Sequence, residues 1–383
     1  MALRVSLIFT VLNEAASLPT LLDSIVAQRR SPDEIIVVDG GSRDETVAIL
    51  DRYRQRLPLE VVVAPGANIS AGRNVAIGRA RGEIIAVTDG GVRLDPAWLE
   101  RLVAPFSQDS PPDLVGGFFL PDPHSLFEQA LAVTTLPARE EMGRGRFLPS
   151  SRSVAFTKAV WARVGGYPEW LRYSEDVLFD LAVQASGALV AYAPDAVVYF
   201  RPRGSLLAFA RQYRNYAYGD GQALLWPRRH AIRYATYLVA LPMVLALLRR
   251  PVPPSMSRSR RVSDPVSPGP AGAGRGSGTR GEQTRKASGG VSRAAIAVTL
   301  LMGGGAAMFF TPLKRLARLP LPWRYKLAAA LLIPLIRVTG DLAKMVGFPQ
   351  GLPEGFANRE RTRAYLGNGG RPGDSSEGPR LLE

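Results

Sequence analysis

Glu34-Ile35-Ile36-Val37-Val38-Asp39-Gly40-Gly41-Ser42-Arg43-Asp44-Glu45 holds, in twelve residues, an apolar run, an acid followed by two glycines, and the start of a helix. The run is too short for a helix and ends in turn residues, so 34–38 reads as a buried strand. Ser42 ahead of Asp44 and Glu45 is a serine cap with an acidic first turn, and predicts a helix over 44–55. The same alternation repeats outward from this unit. Strands are predicted at 5–10, 60–63, 83–88, 114–119 and 189–193, and helices at 17–28, 71–80, 95–106 and 177–186. Strands alternating with helices at this spacing need right-handed crossovers. The predicted class is α/β, with a mostly parallel central sheet and helices on both faces.

Two acids occupy equivalent places in that scheme. Asp39 follows the strand 34–38 and Asp89 follows the strand 83–88, so both stand at carboxyl ends of parallel strands, where open α/β sheets bind ligands. Gly40-Gly41 and Gly90-Gly91 come directly after them and let a ligand approach the backbone closely. Either acid alone reads as a turn residue or a cap. Two with the same flanks point to a site. A third acidic pair, Glu175-Asp176, opens the helix 177–186, where the dipole favours acids whatever their function. The same dipole would keep Asp176 ionised, as a general base requires.

Composition removes several alternatives. The chain has 383 residues and no cysteine, so disulfides, thiolate metal sites and a cysteine nucleophile are excluded. His124 and His230 are the only histidines, neither sits in a catalytic motif, and each reads as structural or exposed. No GxGxxG follows the first strand, which argues against a nicotinamide or flavin site. The apolar run near the amino terminus meets Asn13-Glu14 too soon to be a secretory signal and reads as a buried strand.

Charge divides the chain. Residues 1–230 hold 25 basic and 25 acidic side chains, whereas 231–383 hold 23 basic and 8 acidic and carry the whole net charge of +15. Beyond 230 lie an uncharged apolar run of 15 residues at 234–248, another of 19 at 294–312, and a shorter one at 327–336. The second is long enough to cross a bilayer. Trp226, Trp323 and flanking arginines fit interfacial anchors, Arg337 and Asp341 are spaced to pair on a helix, and the third run reads as interfacial rather than spanning. Core helices of a second packed domain are the plainer alternative. Between the runs, 251–292 has 22 Pro, Gly or Ser among 42 residues and no aromatic, so a disordered basic loop is expected there, lying on an anionic membrane face in preference to binding RNA.

The run Val5-Ser6-Leu7-Ile8-Phe9-Thr10-Val11-Leu12-Asn13-Glu14, the stretch from Glu34 to Thr46, Gly72-Arg73-Asn74, Gly82-Glu83 with Asp89, and Val164-Gly165-Gly166-Tyr167-Pro168-Glu169 with Glu175-Asp176 resemble, in order, the family 2 glycosyltransferases of the GT-A fold. The resemblance spans roughly residues 4–220. It implies transfer of a sugar from a nucleotide-sugar donor with inversion. It also implies that Thr10, Glu14 and Asp39 line the nucleoside pocket, that Arg73 and Asp89 bind the donor, and that Asp176 deprotonates the acceptor. Asp89 would hold a divalent cation, Mn or Mg, as the first acid of an Asp-x-Asp whose second acid is here Gly91. The Gln-x-x-Arg-Trp of the family's synthases becomes Gln212-Tyr213-Arg214-Asn215-Tyr216. Gln212 and Arg214, with Glu175, are candidates for the acceptor or diphosphate, and Arg211 and Arg214 read equally as the basic face of an interfacial helix.

The expected organisation is a GT-A domain over 1–230, a membrane-associated helix over 231–250, the basic loop over 251–292, transmembrane or interfacial helices over 293–348 and a disordered tail over 349–383. The expected partners are a nucleotide-sugar donor, a lipid-linked or glycan acceptor and a membrane, with the catalytic domain cytoplasmic and no nucleic acid. Gly91 also motivates a second reading, a catalytically silent nucleotide-sugar-binding or scaffolding membrane protein.

Overall fold

The computed structural model describes residues 3–141, 148–249 and 293–367. They fall into two units, one of Met1–Tyr234 with Phe309–Glu383 and one of Ala235–Met308.

The first unit is built on β1 (Val5–Val11), β2 (Glu34–Asp39), β3 (Leu59–Val63) and β4 (Ile84–Val87), joined through α1 (Leu18–Val26), α2 (Thr46–Tyr53) and α3 (Ile69–Arg79). These four strands pair in parallel, with β1 between β2 and β4. Next come β5 (Val92–Leu94), α4 (Trp98–Val103), β6 (Leu114–Pro121), α5 (Leu126–Thr135), β7 (Val154–Thr157), α6 (Lys158–Val164), α7 (Glu175–Ala185) and β8 (Val190–Phe200). The sheet order is β3-β2-β1-β4-β7-β6-β8-β5. The predicted α/β class is present, but the sheet is mixed. β7 runs antiparallel to β4 and β6, and β5 antiparallel to β8, while β6 and β8 are parallel. The predicted strands 5–10, 34–38, 60–63, 83–88 and 114–119 all form. The one expected at 189–193 extends to Phe200, and β5 and β7 were not anticipated.

Both faces of the central strands are covered, which is why they read as unbroken apolar runs. Val5, Leu7, Phe9 and Val11 of β1 pack with α1 and α4 on one face, and Ile8 packs with Ile77 of α3 and Val160 of α6 on the other. At the amino-terminal end of the strands, buried Glu34 accepts hydrogen bonds from Ser6 Oγ, Arg81 N, Arg81 Nε and Gly82 N. Gly82 must be glycine: a Cβ would lie 2.5 Å from Ser6 Oγ and 2.9 Å from Arg4 O.

Further helices of this unit are α8 (Leu206–Gln222), α9 (Pro227–Tyr234) and, after α10 (Leu241–Arg249) and α11 (Arg293–Arg318), the 35-residue α12 (Trp323–Ala357) with α13 (Arg359–Gly367). α12 meets α8 backbone to backbone. A Cβ at Gly347 would lie 2.0 Å from Arg214 O, one at Gly351 2.0 Å from Tyr218 O, and one at Gly355 2.1 Å from Gly221 O. Pro349 cannot donate to the carbonyl of Met345 four residues back. Tyr234 Oη donates to it instead, at 2.6 Å. Asp341 pairs with Arg233 at 2.9 Å, and the anticipated Arg337–Asp341 contact is present at 3.7 Å.

The run at 327–336 therefore has two sides. Ala329, Ile333 and Ile336 are buried against α5 and Phe209 of α8, while Leu327, Leu331 (73% exposed) and Leu335 face outward. The disordered tail expected from 349 does not begin there. α12 and α13 continue to Gly367, and Tyr365 donates to Gly166 O and packs edge-on against Trp170. Residues 251–292, expected to be disordered, and 368–383 lie outside the described residues.

Within the second unit, a π-helical segment Ala235–Ala240 leads into α10. Leu238, Val239, Met243, Val298, Leu300 and Met302 are exposed there. Ala297–Arg318, which runs on into the first unit, is the one described helix long and apolar enough to cross a membrane.

Candidate active site

The β1–α1 and β2–α2 loops are tied together by side chains. Asn13, whose φ of 55° Asn tolerates better than most residues, accepts from Arg43 N through Oδ1, and its own N–H donates to Ser42 Oγ. Glu14 N donates to Thr46 Oγ1, and Ala15 N to Asp44 Oδ2. Ser42 thus serves the neighbouring loop and does not cap α2, which begins at Thr46.

Asp39 is fully buried. Its Oδ1 accepts from Gly41 N at 2.9 Å and Ser42 N at 2.8 Å, and Oδ2 accepts from Ser42 Oγ. Gly41 needs its glycine, since its φ is +98° and a Cβ would press on Pro65. Asp39 pairs with Val11 in the sheet, and Ile8 pairs with Val87. Asp39 and Asp89 therefore flank one strand, β1, roughly 10 Å apart at the usual strand spacing. Between them, Thr10 and Glu14 border the glycines: a Cβ at Gly72 would lie 2.8 Å from Thr10 Cγ2, and one at Gly90 3.5 Å from Glu14 Cγ.

The Gly72-Arg73-Asn74 triplet of α3 does three separate jobs. Gly72 lets the helix lie on Thr10 and Val38. Arg73, 3% exposed, gives Nη2 to Asp89 Oδ1 and Nη1 to Glu175 Oε1, both at 3.1 Å. Asn74 binds the loop before α7: its amide donates to Tyr167 O and Glu169 Oε1, and its carbonyl accepts from Tyr167 N and Trp161 Nε1. The loop can close on it because Gly166, at φ +80°, brings no Cβ against Asn74 Oδ1. The motif at 164–169 and the acidic pair at 175–176 are thus fixed to α3, and Arg73 joins Asp89 to the acidic pair.

Glu175 is buried and Asp176 half-exposed at the start of α7. Burial, then the nearby Asp176, push the Glu175 carboxyl up to about 7 against the pull of Arg73. One turn on, burial and Asp176 hold the Asp180 carboxyl well above the usual range. Asp176 is the accessible carboxylate of this group. Its turn is set by Ser174 at φ 61°, packed against Gly219 of α8, where a Cβ would lie 2.6 Å from Ser174 Oγ.

Arg152, which carried no motif signal, completes the cluster. Its Nε lies 3.8 Å from Asp89 Oδ2, its Nη1 donates to Ser150 Oγ at 3.1 Å, and its guanidinium centre is 4.8 Å from the Phe200 ring centroid. Burial works against its charge, but nearby Tyr216 and Asp89 outweigh that and raise its pKa. Gln212 reaches this edge indirectly, donating to Tyr216 Oη at 2.7 Å. Arg214 does not join it. Two residues from Gln212, it leaves the opposite face of α8 and donates to Gln350 of α12 at 3.0 Å. Arg211 is exposed. His124 is exposed, whereas His230 is buried, stacks on Phe348, contacts Asp220 through Nε2 at 3.1 Å and accepts from Arg233 through Nδ1.

The donor set is poor for a divalent cation: at phosphate sites such an ion takes one or two protein carboxylates beside the phosphate oxygens and water, and among the described residues no three His, Asp or Glu come together. Asp89 stands alone, with both carboxylate oxygens facing guanidinium groups, and Asp95 is occupied with Ala97 N and Arg101.

An α/β sheet with acids and glycines at the carboxyl ends of β1, β2 and β4, and an accessible carboxylate across from them, is the framework of a GT-A glycosyltransferase. Residues 6–152 match the model of glycosyl transferase family 2, and curated glycosyltransferases are among the relatives of the chain. It is 29% identical over 262 residues to glycosyltransferase AglE of Haloferax volcanii, covering 64% of this chain and 82% of that one. To the undecaprenyl-phosphate 4-deoxy-4-formamido-L-arabinose transferase of Pseudomonas fluorescens it is 36% identical over 107 residues, 26% of this chain and 31% of that one. The solved mannosyltransferase PcManGT of Pyrobaculum calidifontis, in complex with GDP-Man and Mn2+, superposes with a TM-score of 0.47 at 17% identity, covering 94% and 88% of the two chains.

Proposed function

We propose that this chain moves a glycosyl group from a nucleoside-diphosphate sugar to a lipid-linked or membrane-proximal acceptor, with inversion at the anomeric carbon. The observation that carries the reading is the Asp89–Arg73–Glu175 chain of ion pairs, which sets the accessible Asp176 opposite the strand ends. Thr10, Glu14 and the Asp39 turn border the nucleoside end of the cleft, and Arg73 and Asp89 the diphosphate end. The acceptor oxygen attacks the anomeric carbon and gives its proton to Asp176. The bond from that carbon to the β-phosphate oxygen breaks, and its electron pair leaves with the nucleoside diphosphate. Buried Glu175 positions this base and does not act as one.

Membrane proximity is supported by the exposed apolar side chains of Ala297–Arg318 and of the outer side of α12. A relative named for an undecaprenyl-phosphate acceptor agrees with it. The catalytic unit would then face the cytoplasm, where nucleotide sugars are made. The assignment of Asp176 is tested with Asp176→Asn in detergent, against a panel of nucleotide sugars and lipid-linked glycan acceptors that present a free hydroxyl. Transfer should fall by about three orders of magnitude or more, the effect expected when a general base is lost, with nucleotide affinity nearly unchanged. Wild-type turnover in the variant refutes the assignment.

A further inference from the structure

The site prepares for a leaving diphosphate without the carboxylates that would hold a metal. As the sugar departs, the diphosphate gains one negative charge, and some cation has to face it. Position 91 is glycine, and a Cβ there would have open space, with Glu14 Oε2 as its nearest neighbour at 4.0 Å. An acid is therefore missing where one would fit, and the reason is not steric. What stands beside Asp89 is a pair of arginines, of which Arg73 is spent on two carboxylates. Arg152 is engaged less fully. Among the described residues its one carboxylate contact is the long 3.8 Å approach to Asp89, and its side chain is 26% exposed. Phe200 lies against its plane, and Nη1 donates to Ser150 Oγ at 3.1 Å. A planar guanidinium fixed in this way suits two-point binding of a phosphate.

We propose that Arg152 is a catalytic residue that binds the β-phosphate of the donor and the departing diphosphate, in place of a divalent cation. The inference rests on the glycosyltransferase reading of the same cleft. No additional reactant is needed: the electron pair of the broken carbon–oxygen bond ends on the β-phosphate oxygen facing Arg152, and the acceptor proton ends on Asp176. Asp89 between the arginines keeps them from repelling each other.

The test uses the full chain in detergent and isothermal titration with UDP, GDP and the matching monophosphates, in EDTA and in Mn2+. The diphosphate that binds should do so in EDTA within about threefold of its affinity in Mn2+. Arg152→Ala should weaken it by about 10- to 100-fold, the size of a lost charge-assisted hydrogen bond, and change the monophosphate by less than about threefold. Arg152→Lys, which keeps the charge without the fork, should recover part of the loss and guards against a folding artefact. Diphosphate binding that collapses in EDTA refutes the metal-free inference and leaves the glycosyltransferase reading standing. Equal weakening of mono- and diphosphate refutes the assignment of Arg152. Failure of both nucleotides to bind under either condition overturns the donor reading and this inference with it.

Discussion

Removing one buried carboxylate at the end of the sheet remote from the cleft isolates how the scaffold is held. Glu34 sits at the start of β2 and accepts four hydrogen bonds from Ser6, Arg81 and Gly82. Burial by itself pushes its carboxyl up; the bonds from Ser6 and from the Arg81 backbone and side chain outweigh burial and bring it down from 4.5 to about 2. A group whose folded pKa is depressed stabilises the fold above its unfolded pKa, and loses that contribution as the pH falls through the folded one. The shift is worth about 3 kcal/mol at neutral pH, at 1.36 kcal/mol per unit, and shrinks progressively between about pH 4.5 and pH 2. Glu34→Gln removes the titration, so the stability gap between wild type and variant should narrow by about 2 kcal/mol from pH 7 to pH 3. Urea unfolding of both proteins in the same detergent at the two pH values measures it, and groups that titrate in both cancel in the difference. A gap independent of pH would show that Glu34 is not held ionised, and would remove the account of why Gly82 and Ser6 stand where they do.

Two glycine substitutions test packing in opposite directions. Gly351→Ala drives a Cβ to 2.0 Å from Tyr218 O and should cost about 1–3 kcal/mol in thermal or urea unfolding, whereas Gly78→Ala in α3, with nothing within 4 Å, should gain about 0.5–1 kcal/mol. Gly91→Asp places a second carboxylate beside Asp89 and Glu14 in open space, and should create Mn2+ binding, visible by electron paramagnetic resonance, that the wild type lacks. Its failure to do so would mean that the missing acid is not what keeps a cation out.

The half of the fold legible in the sequence is the half made of local units. β1 to β4 each carry an apolar run long enough to read; β1, β2 and β3 pair in succession through helical crossovers, and β4 crosses back to lie beside β1. β5 and β7 have three and four residues, too few for a pattern, and they pair with partners fixed by the whole topology: Val92 meets Phe200, and Ile84 meets Thr157. Asp39, Asp89 and Asp176 could be picked out because strand ends and helix starts are visible locally. Arg152 could not, since Ser150-Ser151-Arg152-Ser153 reads as an ordinary polar loop and gains its meaning only when β7 lies beside β4. Arg214 is the complementary case. Its motif position leaves the diphosphate and the basic face of a helix equally open, and helical phase turns it away from Gln212 toward an α12 that begins more than a hundred residues later.

The glycines of α12 show why apolar composition alone could not separate a lipid-facing helix from a docked one. Gly347, Gly351 and Gly355 recur every four residues, a spacing that serves helix contact in either solvent. Here they press on the backbone of α8, and Gly219 of α8 presses on Ser174, the residue that starts the turn bearing Asp176. Asp176 is therefore fixed from two directions, by α3 through Asn74 and Arg73, and by α12 through α8. The same α12 turns Leu327, Leu331 and Leu335 outward. If those side chains lie in a lipid surface, as the proposed function requires, the body that touches lipid is also the body that fixes the base. An acceptor carried by that surface would then meet Asp176 without any separate arm to deliver it.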